Sequence, residues 1–320
     1  MFGKPKIALL LALILSGVAM TFTGKINPYH LDIIIGIGIN ITLAVSLNLI
    51  NGYTGQFSLG HAGFMAVGGY TAAIVTTKLG PQFLPMLGGA DSFFAKEILF
   101  LIALYVGGLI AAVAGILVGA PSLRLKGDYL AIVTLGFGEI IRVILQNTDA
   151  VGAARGMTDI PRYANLFWTF GTAAITVYIV VCLVNSTYGR GFLATHDDEV
   201  AAEAMGLNTT RYKIVAFVIG SFFAGIAGGL YGHFKQYLNP EGFGFMRSIE
   251  IVVMVILGGM GNTTGVILAA ILLTILPEVL RPIAEYRMII YSLLLVILML
   301  TRPQGLFSWR PKRKPVLAAK

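Results

Sequence analysis

Charge is what this chain has least of. Asp and Glu total 15 and Lys and Arg 23 in 320 residues, 12% together, against 57% hydrophobic residues and a mean hydropathy of +0.83. A soluble domain carries about a quarter of its residues charged, so that class is excluded and a polytopic membrane protein is indicated. Cysteine is reduced to Cys182, in an apolar run, which rules out a disulfide framework or a cysteine metal cluster and reads as a packed thiol. No Gly-rich loop followed by Lys and Ser or Thr occurs, so the chain shows no means of binding ATP. If ATP drives it, the engine is another subunit. The net charge of +8 does not point to nucleic acid, because six basic residues, Arg302, Arg310, Lys312, Arg313, Lys314 and Lys320, lie beyond the last apolar run. A basic tail over 302–320 reads as a cytoplasmic membrane flank.

What is abundant is apolar sequence in segments. Ten can be drawn: 7–22, 31–50, 57–77, 98–119, 128–147, 166–185, 212–234, 248–261, 263–280 and 288–301. Several fall short of the roughly 20 residues that a perpendicular helix needs, so some are expected to be broken or re-entrant. The first, preceded by Lys4 and Lys6 and with small residues over Ser16 to Ala19, has the outline of a signal peptide; an uncleaved first span is preferred. With ten spans both termini share a side, which holds 13 Lys and Arg against 9 opposite, with Arg142 inside a span. This bias, which the tail supplies, places the termini in the cytoplasm.

Two segments carry small residues at every fourth position: Gly107, Ala111, Gly115 and Gly119, then Gly220, Ala224, Gly228 and Gly232. That spacing puts each set on one helix face, where a second backbone can approach closely, so both are expected to be packing seams. Ser221, Gly225 and Gly229 form a parallel stripe, so the second helix is expected to be gripped from two sides. Sliding surfaces for a rocking transporter are the alternative.

Polar residues inside the apolar segments are few. Glu139 and Arg142 are one helical turn apart and can pair, either as part of a proton relay or as a structural pair facing a cavity. Asn40 and Asn48 share a stripe suited to bonds between helices or to a substrate path. The stretch Asn51–Tyr70 holds six glycines with Gln56, Ser58 and His61. Glycine at that density lets a helix break, and an unwound segment at membrane depth survives only where it is buried or lines a cavity. Asn48, Gln56, Ser58, His61 and Glu139 are therefore the translocation-path candidates. His61 has no partner histidine at metal-ligand spacing and reads first as a hydrogen-bonded interior residue. No nucleophile, base and orienting group converge, so no enzyme active site is expected.

One long polar interruption remains, Gly189 to Lys213. Asp197, Asp198, Glu199 and Glu203 crowd about two helical turns that end at Gly206. Carboxylates in the first turn complement the helix N-terminus, Ala201, Ala202 and Ala204 favour helix, and Gly206 can end it in the left-handed region.

Three stretches carry a family resemblance over nearly the whole chain: NLINGYTGQFSLGHAGFMAVGGYTAAI at 48–74, PSLRLKGDYLAIVTLGFGEIIR at 121–142, and GRGFLATHDDEVAAEAMGLNTTRYKIVAFVIGSFFAGIAGGLYG at 189–232. They resemble the LivH/LivM permease family of bacterial branched-chain amino acid ABC importers, and most closely its LivM type. The resemblance implies an all-α polytopic membrane protein of the inner membrane, a single permease domain over 1–320 with about ten transmembrane or re-entrant helices. It implies that 189–213 is the cytoplasmic coupling loop, docking on the ATPase through Asp197, Asp198, Glu199, Ala201, Ala202, Glu203 and Gly206. It implies a LivH-type sister permease, two ATPase subunits that bind ATP and Mg, a periplasmic binding protein, and no cofactor in this chain. Leucine, isoleucine and valine are the expected cargo, with urea, short amides or other amino acids as alternatives. A proton-coupled carrier using Glu139 is the competing class, and a channel or purely structural subunit a third. Thr195 and His196 stand where the family more often has a basic residue, and GGMGNTTGVILA at 258–269 lacks a Pro common there.

Overall fold

A computed structural model describes residues 3–21, 26–85, 92–122, 128–281, 286–301 and 305–306. The basic tail, but for Gly305 and Leu306, and residues 123–127 of the second motif lie outside them. The described chain is helical, with no strand beyond one isolated bridge between Met157 and Leu238. Among the described residues, five helices are long and apolar enough to cross a membrane: Pro28–Tyr53, Phe93–Pro121, Tyr129–Gln146, Leu166–Val184 and Thr209–Lys235. Lys6–Thr21 and Thr263–Val279 are apolar but shorter.

In chain order the helices are α1 (Gly3–Thr21), α2 (Pro28–Asn48), α3 (His61–Ile74), α4 (Gly80–Phe83), α5 (Phe93–Ser122), α6 (Asp128–Gln146), α7 (Leu166–Val184), α8 (Thr187–Asp197), α9 (Glu199–Ala204), α10 (Thr209–Lys235), α11 (Phe245–Gly258), α12 (Thr263–Val279) and α13 (Arg287–Thr301). Asn and Ser start many of them in the expected way. The side chains of Asn165, Ser186, Asn208 and Asn262 each accept a backbone N–H of the first turn they precede, satisfying a donor that the helix leaves open.

The centre is a wedge of α3, α5 and α10, with α2 packed beside it and α12, α11 and α7 outside α2. Small residues allow this closeness. A Cβ on Gly68 would fall 2.1 Å from the Cα of Gly225, and one on Gly107 would fall 2.7 Å from the Gly68 carbonyl oxygen. The two stripes of α10 face different neighbours. Gly220 lies against Ile50 and the Ser46 carbonyl, and Gly228 against the Met65 carbonyl; Ser221 meets Gly115, and Gly225 meets Ala111. Ala224 is fully buried between them. Where lipid offers no hydrophobic drive, such backbone contact is what holds helices together.

Contacts between helix termini define two ends of the bundle. At one, Thr76 Oγ1 is 2.8 Å from His233 Nε2 and Tyr29 bonds Glu278. At the other, Asn48 Oδ1 accepts Gly261 N–H at 2.9 Å, and Leu306 N–H reaches the Leu257 carbonyl.

Candidate functional site

At that second end the chain leaves α2 through a π-helical turn, Leu49–Tyr53, runs irregularly over 54–60 and enters α3 at His61. Its backbone is satisfied from within the protein. Asn51 brackets the loop, Oδ1 accepting Ser58 N–H at 3.2 Å and Nδ2 donating to the Ser58 carbonyl at 3.4 Å. Thr134 Oγ1 of α6 accepts Leu59 N–H at 3.0 Å, and Ser248 Oγ of α11 accepts Ala62 N–H at 3.3 Å. An irregular segment between apolar helices needs such donors and acceptors from the protein itself.

The side chains are another matter. Asn48, Gln56, Ser58 and His61 are all buried, at most 3% exposed. Asn48 Nδ2, both polar atoms of Gln56, Ser58 Oγ and His61 Nδ1 have no hydrogen-bond partner among the described residues. His61 Nε2 does have one, Ser46 Oγ at 2.9 Å. A buried polar atom without a partner costs about 1–3 kcal/mol, and here all such side-chain atoms lie within one stretch of chain. Four of the five path candidates are thus brought together in the core. Glu139 is not with them.

The polar interruption folds as a helical hairpin against this break. Gly55, in the left-handed region at φ +68°, packs on His196 at the end of α8, so the residue that departs from the family pattern touches the broken segment. Asp198 caps α9, its Oδ1 accepting the N–H groups of Val200 and Ala201 at 2.9 and 3.1 Å. Gly206 follows at φ +83°. Glu199 Oε1 pairs with Lys213 Nζ at 2.6 Å, and Glu203 Oε1 accepts the Thr209 hydroxyl at 2.6 Å. Those two carboxylates therefore fasten α9 to α10. Ala202 is buried, while Asp197, Asp198 and Ala201 remain exposed. The large apolar side chains exposed on α9 and just after it are Val200 and Met205, 69% and 83% exposed, which the reading of charges passed over. Only the alternation of apolar with acidic residues over 198–205 could have signalled them.

The Lys213–Glu199 pair is largely shielded, Lys213 being buried and Glu199 half-buried. Lys213→Met is expected to lower stability by about 1.5–3 kcal/mol, the worth of a hydrogen bond to a charged group, read as a lower unfolding temperature in detergent. An unchanged midpoint would show that the pair does not fasten the hairpin.

Nearer the other end, α3, α6, α10, α11 and the segment before α11 border an open cleft of about 740 Å³. Its wall carries Glu139, Arg142, Glu241, Arg247 and Glu250. Arg142 Nε donates to Glu139 Oε2 at 2.7 Å, and Glu139 Oε1 accepts Phe245 N–H at 3.2 Å, so the pair anchors the start of α11. Arg247 is held by Glu250 at 2.9 Å and by Asn40 Oδ1 at 2.8 Å. Sequence reading missed Glu241, Arg247 and Glu250. The Asn239–Pro240 start signal and three charges within ten residues were the available clue. Among the described residues no cluster of His, Cys, Asp and Glu suits a metal ion.

Comparison with known proteins agrees over most of the chain. A family model described as the permease component of branched-chain amino acid transport systems matches residues 29–300. The chain is 35% identical to the high-affinity branched-chain amino acid transport system permease protein LivM of Salmonella typhimurium, over 97% of this chain and 76% of that protein. It is 26% identical to the probable LivM of Methanocaldococcus jannaschii, over 90% and 96% of the two chains. To LivH of Escherichia coli it is 26% identical, over 86% and 92%. No solved structure matches. With its helical membrane bundle, its buried polar break and a match that runs from α2 into α13, this chain belongs to the family of branched-chain amino acid transport permease components.

Proposed function

We propose that this chain is one of two permease subunits of an ATP-driven importer that brings leucine, isoleucine and valine across the inner membrane of a bacterium. The observation that carries the reading is the hairpin α8–α9 seated on the broken segment: a soluble motor gripping the hairpin would act directly on the core through His196 and Gly55. ATP and Mg belong to two partner ATPases, a binding protein delivers cargo on the opposite side, and a LivH-type sister completes the path. The similarity to both LivM and LivH proteins supports such a pair.

About ten membrane segments follow if α1, α3, α11, α12 and α13 are counted with the five longer helices as short or re-entrant crossings, and both termini then lie in the cytoplasm with the hairpin. The order of contacts at the two ends supports this path, since successive segments run in alternate directions. Docking on the ATPase is through the outward face of α9, with Val200 and Met205 as the apolar anchors, Asp197 and Asp198 at the rim, and Gly206 leaving room for close approach. The α6 face carrying Tyr129, Ile132 and Ile140, exposed in the single chain, is where the sister subunit fits, so that the charged cavity opens on the shared path.

The test is uptake into proteoliposomes. The chain assembled with sister, ATPases and binding protein should accumulate leucine only with ATP and Mg inside the vesicle-equivalent of the cytoplasm, and the permease pair alone should be inert. Uptake driven by a proton gradient without the ATPases would instead establish the carrier reading, in which Glu139 is the proton site.

A further inference from the structure

We propose that the cavity between α6, α10 and the segment Asn239–Glu250 binds the charged backbone of the transported amino acid, Arg142 taking its carboxylate and Glu241 its ammonium group. This deepens the permease reading and rests on it. Five charged side chains reach this wall, and four of them form two ion pairs, Arg142 with Glu139 and Arg247 with Glu250. Glu139 is occupied by Arg142 and the Phe245 N–H, while Arg247 is occupied by Glu250 and Asn40.

What is left over is the carboxylate of Glu241 and the outer edge of the Arg142 guanidinium. Arg142 engages Glu139 through Nε, and its two terminal nitrogens make no hydrogen bond among the described residues. Glu241 uses its backbone N–H on Asn239 and pairs with no cation there through its carboxylate. A guanidinium edge held in place by a neighbouring carboxylate is the geometry that grips a second carboxylate with two parallel hydrogen bonds. A free Glu on the same cavity supplies the acceptor that an ammonium group requires.

The remaining wall is apolar, from Met65, Tyr231, Phe245 and Met246, and suits a branched aliphatic side chain. A volume of about 740 Å³ lies in the range of small-molecule sites, roughly 300–1,000 Å³, with room for an amino acid and a few waters. A Cβ on Gly242 would meet nothing within 4 Å, so this turn leaves space in front of Glu241. A neutral amide such as urea or acetamide carries neither an ammonium group for Glu241 nor a carboxylate for the Arg142 edge.

The probe is a leucine analogue bearing a photoreactive diazirine in its side chain, applied to the assembled transporter in proteoliposomes and mapped by mass spectrometry. Crosslinks are expected on Met65, Tyr231, Phe245 or Met246, suppressed by excess leucine but not by the same acid lacking its amino group. Glu241→Gln is expected to cut this labelling about tenfold, the loss of one charge-assisted contact. Gly242→Leu, which places a side chain into open space, should cut it too while leaving assembly with the ATPases intact. Crosslinks elsewhere on the chain, or labelling unchanged in both variants while the wild-type complex still imports leucine with ATP, would overturn the site alone. A wild-type complex that moves no leucine with ATP would remove the site and the importer reading together.

Discussion

Gly228→Leu is expected to abolish recovery of a folded, monodisperse permease. A side chain there begins with a Cβ that would fall 1.9 Å from the Met65 carbonyl oxygen and 2.9 Å from the Gly69 nitrogen, both backbone atoms of α3. Helix α10 cannot retreat, because its neighbouring stripe is already in contact: Gly225 faces Ala111 and the Gly107 carbonyl, and Ser221 faces Gly115 of α5. Overpacking of a well-filled core costs about 1–3 kcal/mol where side chains can move aside, and more where, as here, backbone must. With membrane helices held chiefly by such packing, separation of α10 from α3 is the expected relief, seen as lost yield and a displaced peak in size-exclusion chromatography. Gly17→Leu in α1 is the matched control, since a Cβ there meets nothing within 4 Å, and it should elute as wild type. A Gly228→Leu protein with wild-type yield and unfolding temperature would show that the α3–α10 contact is dispensable.

The second large effect is expected at the tip of the hairpin. Val200→Asp combined with Met205→Glu should leave folding untouched, because both side chains are mostly exposed, and should bring ATP-driven uptake to background. Apolar anchors at the centre of an interface are commonly worth about 2 kcal/mol or more each, so two charges in their place should weaken ATPase binding by at least about 30-fold. Co-purification of the ATPases is the direct readout. Gly206→Arg should act in the same direction, since Gly206 has a left-handed backbone, costly for other residues by about 1–2 kcal/mol, and open space around it. Glu203→Gln should cost far less coupling, because that carboxylate is turned back onto Thr209. Wild-type uptake in the double variant would place docking elsewhere.

The contrast between Glu203 and Met205 marks where sequence reading stops. The existence of a short helix, the carboxylates at its start and its end at Gly206 were legible because first-turn acids and left-handed glycines are local signals, whereas the capping role of Asp198 came only with the structure. Which face of α9 points outward was not, since six residues are too few for a hydrophobic period to establish and Lys213, which draws Glu199 inward, lies 14 positions away. The stripes of α5 and α10 were readable for the opposite reason: four-residue spacing repeated over several turns survives any detail of packing. The break at 54–60 was readable from its glycines, though not that Asn51 would bracket it or that Thr134 and Ser248 would supply partners from helices far along the chain. The charged cavity was least legible. Glu139 and Arg142 stand out in an apolar helix, but Glu241 and Arg247 come to them only through a chain reversal about 100 residues later, and no local pattern records that meeting.

Shared backbone contact among α3, α5 and α10 also has a mechanical meaning. Helices that touch through their main chains, with no long side chains between them to flex, behave as one stiff strut. A push delivered through α8, where Gly191 packs on Tyr212 of α10, should therefore travel along the strut with little damping toward Thr76 and His233 at its far tip. The compliance that gating needs must then reside in the thinner parts around it: the loop at 54–60, the short α11, and the sparsely packed α6.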